Sequence, residues 1–137
     1  AMQTQGHQPN IFKAKGEGWG LEEIGLREGM RFIDSGMFQS KTVLCSNDRL
    51  AIGFLAACYR KGLKVGITEG CDIRVAGLDG HPFSSFTCPS LTTVSHDYDA
   101  ISQRCFKSLL TLMEKGKGNG DRIEKLFEGK LMMRASA

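Results

Sequence analysis

The chain has 137 residues, of which 41% are hydrophobic and 24% charged, and these proportions fit a soluble globular protein rather than a fibrous or disordered one. Its length allows one domain, or part of a larger one, with a core of its own. The formal net charge of +3 is too small to indicate a nucleic-acid partner, because basic and acidic side chains are interspersed throughout.

The cysteines favour a reduced, cytoplasmic protein. They number five, with neither a C-x-x-C pair nor the Cys/His spacing of a zinc site. We therefore expect free, mostly buried thiols and neither disulfides nor a metal. No apolar run reaches transmembrane length, and the N-terminus lacks the regions of a signal peptide. Residues 1–9 are predicted to be a disordered tail, a tag or a linker.

The first predicted unit is a strand, a loop and a helix. Residues 10–15 (NIFKAK) are typical of a short strand, and the loop 16–20 (GEGWG) places the single tryptophan, Trp19, between glycines. Residues 21–33 carry apolar side chains at helical spacing, and Gly36 follows near the predicted end.

The second predicted unit, residues 42–62, organises the rest of the chain. Its largely apolar start, TVLC, runs into the polar turn Ser46-Asn47-Asp48, and a helical apolar stripe then continues to Gly62. This order is typical of a buried strand, a helix cap and an amphipathic helix. The polar turn follows the carboxyl end of the strand, where open parallel sheets bind ligands.

Two more strands are predicted after this unit. Residues 72–78 (DIRVAGL) end in the acidic turn Asp79-Gly80, and residues 91–95 (LTTVS) have the β-branched content of a strand. Strands that alternate with helices favour an α/β fold with a mostly parallel sheet and right-handed crossovers.

A long helix precedes the last predicted elements. Residues 97–115 show an apolar helical stripe that Asp97 can cap. The glycine-rich segment 116–120 is predicted to be a flexible linker. Residues 123–127 fit either a strand or a helix, and residues 130–134 fit a final strand.

Three polar or aromatic side chains follow successive predicted strands. In a parallel sheet the loops that carry Trp19, Asn47 and Asp79 emerge at one edge. An indole can stack on a sugar ring, a carboxamide can donate and accept, and a carboxylate can accept from two hydroxyls. The sequence thus predicts a site for a small polyhydroxylated ligand. The alternatives are that Trp19 packs under its loop, that Asn47 is only a helix cap, and that Asp79 is only a turn residue.

The motifs also resemble a known family. TVLCSNDRLAIGFLAACYRKGLKVG, DIRVAGLDG, CPSLTTVSHDY and KLMMRAS are similar, in that order, to the C-terminal half of the effector domain of lactose/galactose-repressor-type (LacI/GalR) transcription regulators. The resemblance implies a parallel-sheet three-layer sandwich of the periplasmic-binding-protein-like type I, here a truncated C-terminal subdomain. Residues 10–137 would then form a partial sugar-binding domain.

The resemblance also implies roles for particular residues. Asn47 matches a ligand-contacting asparagine, Asp79 a carboxylate that binds sugar hydroxyls, and Trp19 an aromatic residue that stacks on the ligand. Tyr98 lies where the chain crosses between subdomains and can line the cleft, and His96 is a weaker candidate beside it.

An alternative register changes one of these assignments. It treats Gly6-His7 as the family's crossover motif and makes Arg27 the family's ligand-binding arginine. The preferred register keeps GEGWG as the aromatic loop and leaves that arginine out of the chain.

The chain departs from the family pattern in two parts that a full-length regulator has, the headpiece and the N-terminal subdomain. The DNA-reading headpiece and the N-terminal subdomain are expected to lie outside this chain, so DNA would be contacted only through that headpiece. Residues 97–127 would pack in the N-terminal subdomain, and without it their apolar stripe predicts a homodimer, with exchanged segments as one form.

The leading functional prediction is a ligand-sensing fragment of a transcription regulator that binds a small-molecule effector, a sugar or similar metabolite, without catalysis or a cofactor. The alternative is a sugar-binding protein of an ABC-type transporter, which shares the fold. An enzyme would need a nucleophile and a base, for which Cys88 with His81 or His96 is the only loose candidate set, so no catalytic residue is predicted.

Overall fold

The structure is a computed structural model that describes residues 3–6, 8–36, 41–115 and 124–137, the side chain of Lys115 excepted. The described helices are α1 (Leu21–Asp34), α2 (Asp48–Arg60) and α3 (Tyr98–Lys115). The described strands are β1 (Thr42–Leu44), β2 (Arg74–Ala76), β3 (Thr93–Ser95) and β4 (Lys130–Met132). Short 3-10 turns lie at Gln3–Gln5 and Pro82–Ser85.

The pairing of the strands is mostly parallel, as the sequence predicts. β1 pairs with β2 in parallel, and β3 pairs with β4 in antiparallel fashion. Isolated parallel bridges from Ala76 to Thr92 and from Asp79 to Ser95 connect the β2 side to the β3 side. The carboxyl ends of β1, β2 and β3 therefore lie at one edge, which we call the carboxyl edge. The α/β fold class is confirmed.

The core lies between α2 and the strands. Its members are the buried apolar side chains of α2 and of the segments around β2 and β3, namely Ala51, Phe54, Leu55, Cys58, Ile73, Val75 and Leu91. Full burial of a Val, Leu, Ile or Phe side chain stabilises a fold by about 1.5–3 kcal/mol. This small core therefore fixes α2 on the sheet.

Two glycines let α1 and α2 pack closely. A Cβ at Gly25 would overlap the Leu50 carbonyl, and a Cβ at Gly53 would overlap the Glu22 carbonyl. At the other end of the pair, Lys61 Nζ lies 2.5 Å from a carboxylate oxygen at the end of α1. The two helices therefore run in the same direction, and both begin at the carboxyl edge.

A buried serine links β2 to the segment before β3. The N–H of Val75 donates to the Ser136 carbonyl, and the Ser136 hydroxyl donates to the Val75 carbonyl over 2.6 Å. The N–H of Ser136 donates to the Ser90 carbonyl. Two residues earlier, the Arg134 guanidinium donates to the Leu91 carbonyl over 2.6 Å. The Arg-x-Ser motif thus has a structural role.

One predicted strand is wrong. Residues 10–15 form no strand, because α1 supplies the partners that a neighbouring strand would have supplied. Phe12 packs on Phe32 with ring centroids 4.8 Å apart. Both backbone groups of Lys15 are hydrogen-bonded to side chains of α1.

The other predicted elements have the expected type but differ in length. The helices after Gly20, Asn47 and Asp97 are confirmed, whereas the strands predicted at 72–78, 91–95 and 130–134 are each shorter than expected. Residues 124–127 form neither a strand nor a helix, and the linker predicted at 116–120, like Ile123, lies outside the described residues.

The cysteines are free, as predicted, but they are not mostly buried. Cys58 is buried, Cys45 and Cys71 are partly buried, and Cys88 and Cys105 are exposed. Burial raises the pKa of the Cys45 and Cys58 thiols to about 12, so both stay protonated at neutral pH. Within the described ranges, no helix is long and apolar enough to cross a membrane.

Candidate functional site

Asn47 begins the site at the carboxyl end of β1. Its backbone is extended, and its side-chain oxygen accepts from the Leu50 N–H over 2.8 Å, so Asn47 is the N-cap of α2. The cap uses the carboxamide oxygen. The side-chain N–H groups of Asn47 donate to no other described residue and can therefore donate to a ligand.

Asp48 is the scaffold on which the carboxyl edge is assembled. Its side chain is fully buried, and one carboxylate oxygen accepts from the Thr93 hydroxyl while the other accepts from the His81 N–H, both over 2.6 Å. Its own N–H donates to the Leu78 carbonyl. Asp48 therefore joins the start of α2 to the ends of β2 and β3.

Gly77 makes room for this carboxylate. A Cβ at that position would overlap the Asp48 Oδ1 atom. The sequence motif Ser-Asn-Asp does not reveal this role, because an acidic residue at the start of a helix is most simply explained as a cap.

Asp79 follows β2 in an unusual backbone conformation. Its φ is +111°, in the region that favours glycine, and such a conformation costs on the order of 1–3 kcal/mol for other residues. The N–H of Asp79 donates to the Val94 carbonyl and its carbonyl accepts from the Tyr98 hydroxyl over 2.8 Å. No hydrogen bond or ion pair joins its carboxylate to another residue in the described part of the chain.

Tyr98 and His96 stand beside Asp79. Tyr98 is the first residue of α3. The rings of Tyr98 and His96 pack edge to face, with their centroids 5.9 Å apart. Partial burial raises the pKa of the Tyr98 hydroxyl, and the carboxylates of Asp79 and Asp48 raise it further. Tyr98 therefore stays a neutral hydrogen-bond donor.

Trp19 lies in the loop before α1, and its side chain is 86% exposed. The alternative that it packs under its loop is therefore wrong. Its carbonyl accepts from the Leu21 N–H over 2.9 Å and from Arg49 Nη2 over 2.8 Å. Because Arg49 lies in the first turn of α2, this contact places the tryptophan loop next to the helix that Asn47 caps.

An ion pair at the same edge was not predicted from the sequence. Arg49 Nε and Nη2 donate to the two carboxylate oxygens of Glu22 over 2.6 and 2.7 Å. This hydrogen-bonded arginine lowers the pKa of the Glu22 carboxyl, with a smaller contribution from the nearby His81. Arg49 and Glu22 thus stay charged but largely neutralise each other.

Arg27 lies elsewhere. Its guanidinium donates to the Lys15 carbonyl over 2.6 Å and to Glu28 over 3.3 Å. These contacts are on the side of α1 that faces residues 8–15. The structure brings together Asn47, Asp79, Tyr98 and His96 through the ends of the strands, and Trp19 through Arg49, but it does not bring Arg27 to them.

The carboxyl edge has the chemistry of a binding surface. It offers an exposed indole, a carboxamide that can donate, and a carboxylate that can accept. Among the residues whose positions are described, no three His, Cys, Asp or Glu side chains converge to hold a metal ion. Cys88 makes no hydrogen bond with His81 or His96, so these side chains do not form an ordered nucleophile and base.

Comparisons with known proteins agree with this architecture. A family model described as a periplasmic binding protein-like domain matches residues 1–137. The probable HTH-type transcriptional repressor ExuR of Bacillus subtilis is 37% identical over 81 residues, or 59% of this chain and 23% of that protein. The lactose operon repressor of Escherichia coli is 30% identical over 99 residues, or 72% of this chain and 26% of that protein.

The fold of one solved structure matches that of this chain over nearly its whole length. The Lac repressor bound to ONPG in its repressed state superposes with a TM-score of 0.79 at 27% identity, covering 99% of this chain and 38% of that chain. The chain spans about a quarter of the length of the two relatives named above.

Proposed function

Because the chain belongs to the periplasmic-binding-protein-like family, in the group of lactose/galactose-type (LacI/GalR) repressors, we propose that it is the ligand-sensing part of a transcription regulator. The ligand is a sugar or a related small metabolite, and the chain binds it without chemistry or a cofactor. The observation that carries this proposal is Asp79, whose strained backbone holds at the carboxyl edge a carboxylate that forms no hydrogen bond or ion pair with another described residue.

The chemistry of the neighbouring residues supports a polyhydroxylated ligand. The Asp79 carboxylate can accept from two adjacent hydroxyls, and the Asn47 amide can donate to a third. The exposed Trp19 indole offers a flat apolar face for a sugar ring. Tyr98 and His96 would border this surface. The resemblance to the lactose operon repressor, of which one solved structure holds ONPG, fits the same chemistry.

Regulation would involve the rest of the protein. One solved neighbour is a Lac repressor dimer bound to operator, and we propose that this protein likewise acts as a cytoplasmic homodimer. DNA would be contacted by a part of the protein outside this chain. Effector binding would then shift a conformational equilibrium between two arrangements of the dimer. The curated relatives are regulators, which favours this function over that of a transporter's sugar-binding protein.

The proposal is tested by titrating the chain with a panel of neutral mono- and disaccharides at millimolar concentrations. Trp19 is the single tryptophan, so its fluorescence reports the site directly. We expect one sugar to shift the emission. Asp79→Asn should weaken that response about tenfold or more, because asparagine tolerates the left-handed backbone but lacks the charge.

Two further variants complete this test. Asn47→Ala should also weaken binding, whereas Glu69→Gln, an equivalent loss of charge in an exposed turn, should not change it. Equal affinity of Asp79→Asn, Asn47→Ala and the parent for the best sugar would show that the site is wrong.

A further inference from the structure

The loop that carries Trp19 is held at its first end by α1. The N–H of Lys15 donates to Glu28 Oε2 over 3.1 Å, and the Lys15 carbonyl accepts from Arg27 Nη2 over 2.6 Å. Glu28 is buried, and Arg27 and Arg31 both donate to it. Both polar backbone groups of Lys15 are therefore bound by side chains.

The second end of the loop is held by α2. The Trp19 carbonyl accepts from Arg49 Nη2 over 2.8 Å, and the same guanidinium makes the paired hydrogen bonds to Glu22. Glu22 lies in the first turn of α1 and Arg49 in the first turn of α2. The contact exists because the two helices begin side by side.

We infer that Arg49–Glu22 and Arg27–Glu28 form a two-ended clamp that positions the Trp19 loop for its ligand. The four side chains are positioning residues, because Arg49, Arg27 and Glu28 bind backbone groups at the two ends of the loop while Glu22 holds Arg49. The Trp19 indole stays exposed. The ligand-binding part of this inference rests on the proposed function, whereas the ordering of the loop does not.

The composition of the loop explains why such a clamp is needed. Between Lys15 and Leu21 the chain has Gly16, Gly18 and Gly20, and glycine loses more conformational freedom on ordering than any other residue. An unclamped indole on this segment would sample many orientations, and a ligand would have to order it on binding. Ordering the loop in advance removes that cost from the binding step.

A stabilising role alone does not account for the Arg49–Glu22 pair. Exposed ion pairs contribute little to the stability of a fold, and the Arg49 and Glu22 side chains are each about a third or more exposed. Each arginine, however, also donates to a loop carbonyl. That shared geometry favours a role in positioning the loop.

The experiment measures loop order and ligand binding separately. Arg49→Gln removes the charge at the Trp19 end, and Arg60→Gln makes the same change at the far end of α2 as the control. Fluorescence anisotropy and acrylamide quenching of Trp19 in the ligand-free chain report loop order. We expect Arg49→Gln to lower the anisotropy and to weaken sugar binding about tenfold, with little change in the urea midpoint.

Additional variants distinguish a clamp from a simple charge effect. Glu22→Gln and Arg27→Gln should each loosen the loop as Arg49→Gln does. Arg49→Lys should rescue it only partly, because a lysine cannot donate to Glu22 in the bidentate geometry and reach the Trp19 carbonyl as well. Unchanged anisotropy in both Arg49→Gln and Arg27→Gln would overturn the clamp.

The two proposals fail in different ways. If the parent binds no sugar but Arg49→Gln lowers the anisotropy, the clamp stands and the proposed ligand class is wrong. If the parent binds a sugar but neither Arg49→Gln nor Arg27→Gln loosens the loop or weakens binding, the clamp is wrong and the proposed function stands.

Discussion

Two aspartates at the carboxyl edge have opposite environments. Asp48 is fully buried and accepts from Thr93 and His81, so its carboxylate stabilises the fold. Asp79 has a strained backbone and a carboxylate that forms no hydrogen bond with another described residue. Strain of this kind is typical of functional positions, where stability has been lost in favour of a fixed geometry.

This contrast predicts opposite effects of substitution on stability. Asp48→Ala should lower the free energy of unfolding by about 2–4 kcal/mol, because it leaves the buried Thr93 hydroxyl and the partly buried His81 N–H without their acceptor. Asp79→Gly should raise it by about 1 kcal/mol through relief of strain while abolishing sugar binding. Urea denaturation measures both.

The control for this contrast is Asp99→Gly, an exposed site in the first turn of α3. Glycine there should destabilise the fold slightly, because it costs backbone entropy in a helix. A destabilised Asp79→Gly variant would contradict the role assigned to the strain at Asp79.

The separation of partners along the chain explains which candidate site residues the sequence could suggest. Asn47 and Asp79 each follow a strand, and Trp19 lies in a glycine loop, so local pattern and family resemblance suffice to single them out. The role of Asp48 depends on Thr93, 45 residues away, and that of Arg49 on Glu22, 27 residues away. No local pattern encodes such pairs.

At the scale of elements, the helix pair α1 and α2 determines the geometry of the edge. Gly25 and Gly53 allow the backbones to approach, and this approach brings Arg49 to the Trp19 loop. The helices themselves were predictable, because their apolar spacing and end signals are strong. The strand predicted at residues 10–15 was not formed, because an apolar segment that packs on a helix has the same short pattern as a strand.

The carboxylates of the clamp predict a response to acid. Hydrogen bonds lower the folded-state pKa of Glu22, chiefly from Arg49, and of Glu28, chiefly from the Lys15 N–H, below their ordinary value of 4.5. The stabilisation of the loop by the ionised Glu22 and Glu28 carboxylates is therefore fully present above pH 4.5. It is lost as the pH falls through their lowered folded-state pKa values. Trp19 anisotropy should stay constant from neutral pH to about 4.5 and fall below it.

Far-UV circular dichroism recorded in parallel separates this release from global unfolding. In Arg49→Gln the Trp19 end is already released, so the acid change should be smaller. An acid change of the same size in Arg49→Gln and in the parent would contradict the assignment to Glu22.

At the scale of the whole molecule, α3 exposes an apolar surface that the described residues do not cover. Its exposed large apolar side chains are Phe106, Leu109, Leu110, Leu112 and Met113. Apolar patches on this scale are sites of association. We expect the 137-residue chain to self-associate with increasing concentration in multi-angle light scattering, and Leu112→Glu to shift the equilibrium toward the monomer.

Ser102→Glu is the matched control, since it adds the same charge at an exposed polar position of α3. It should leave the association largely unchanged. A strict monomer at high concentration in the parent chain would rule out α3 as an association surface.

The position of Ser136 has a consequence for how the chain is made. Its hydrogen bonds close a separation of 61 residues to Val75, and they complete the link between β2 and the segment before β3. During synthesis the N-terminal elements emerge first, and until Ser136 leaves the ribosome the Val75 N–H and carbonyl lack their partners. Contacts this distant in sequence slow folding and prolong the exposure of strand edges. The backbone pairing of Val75 can therefore be completed only after Ser136 has left the ribosome.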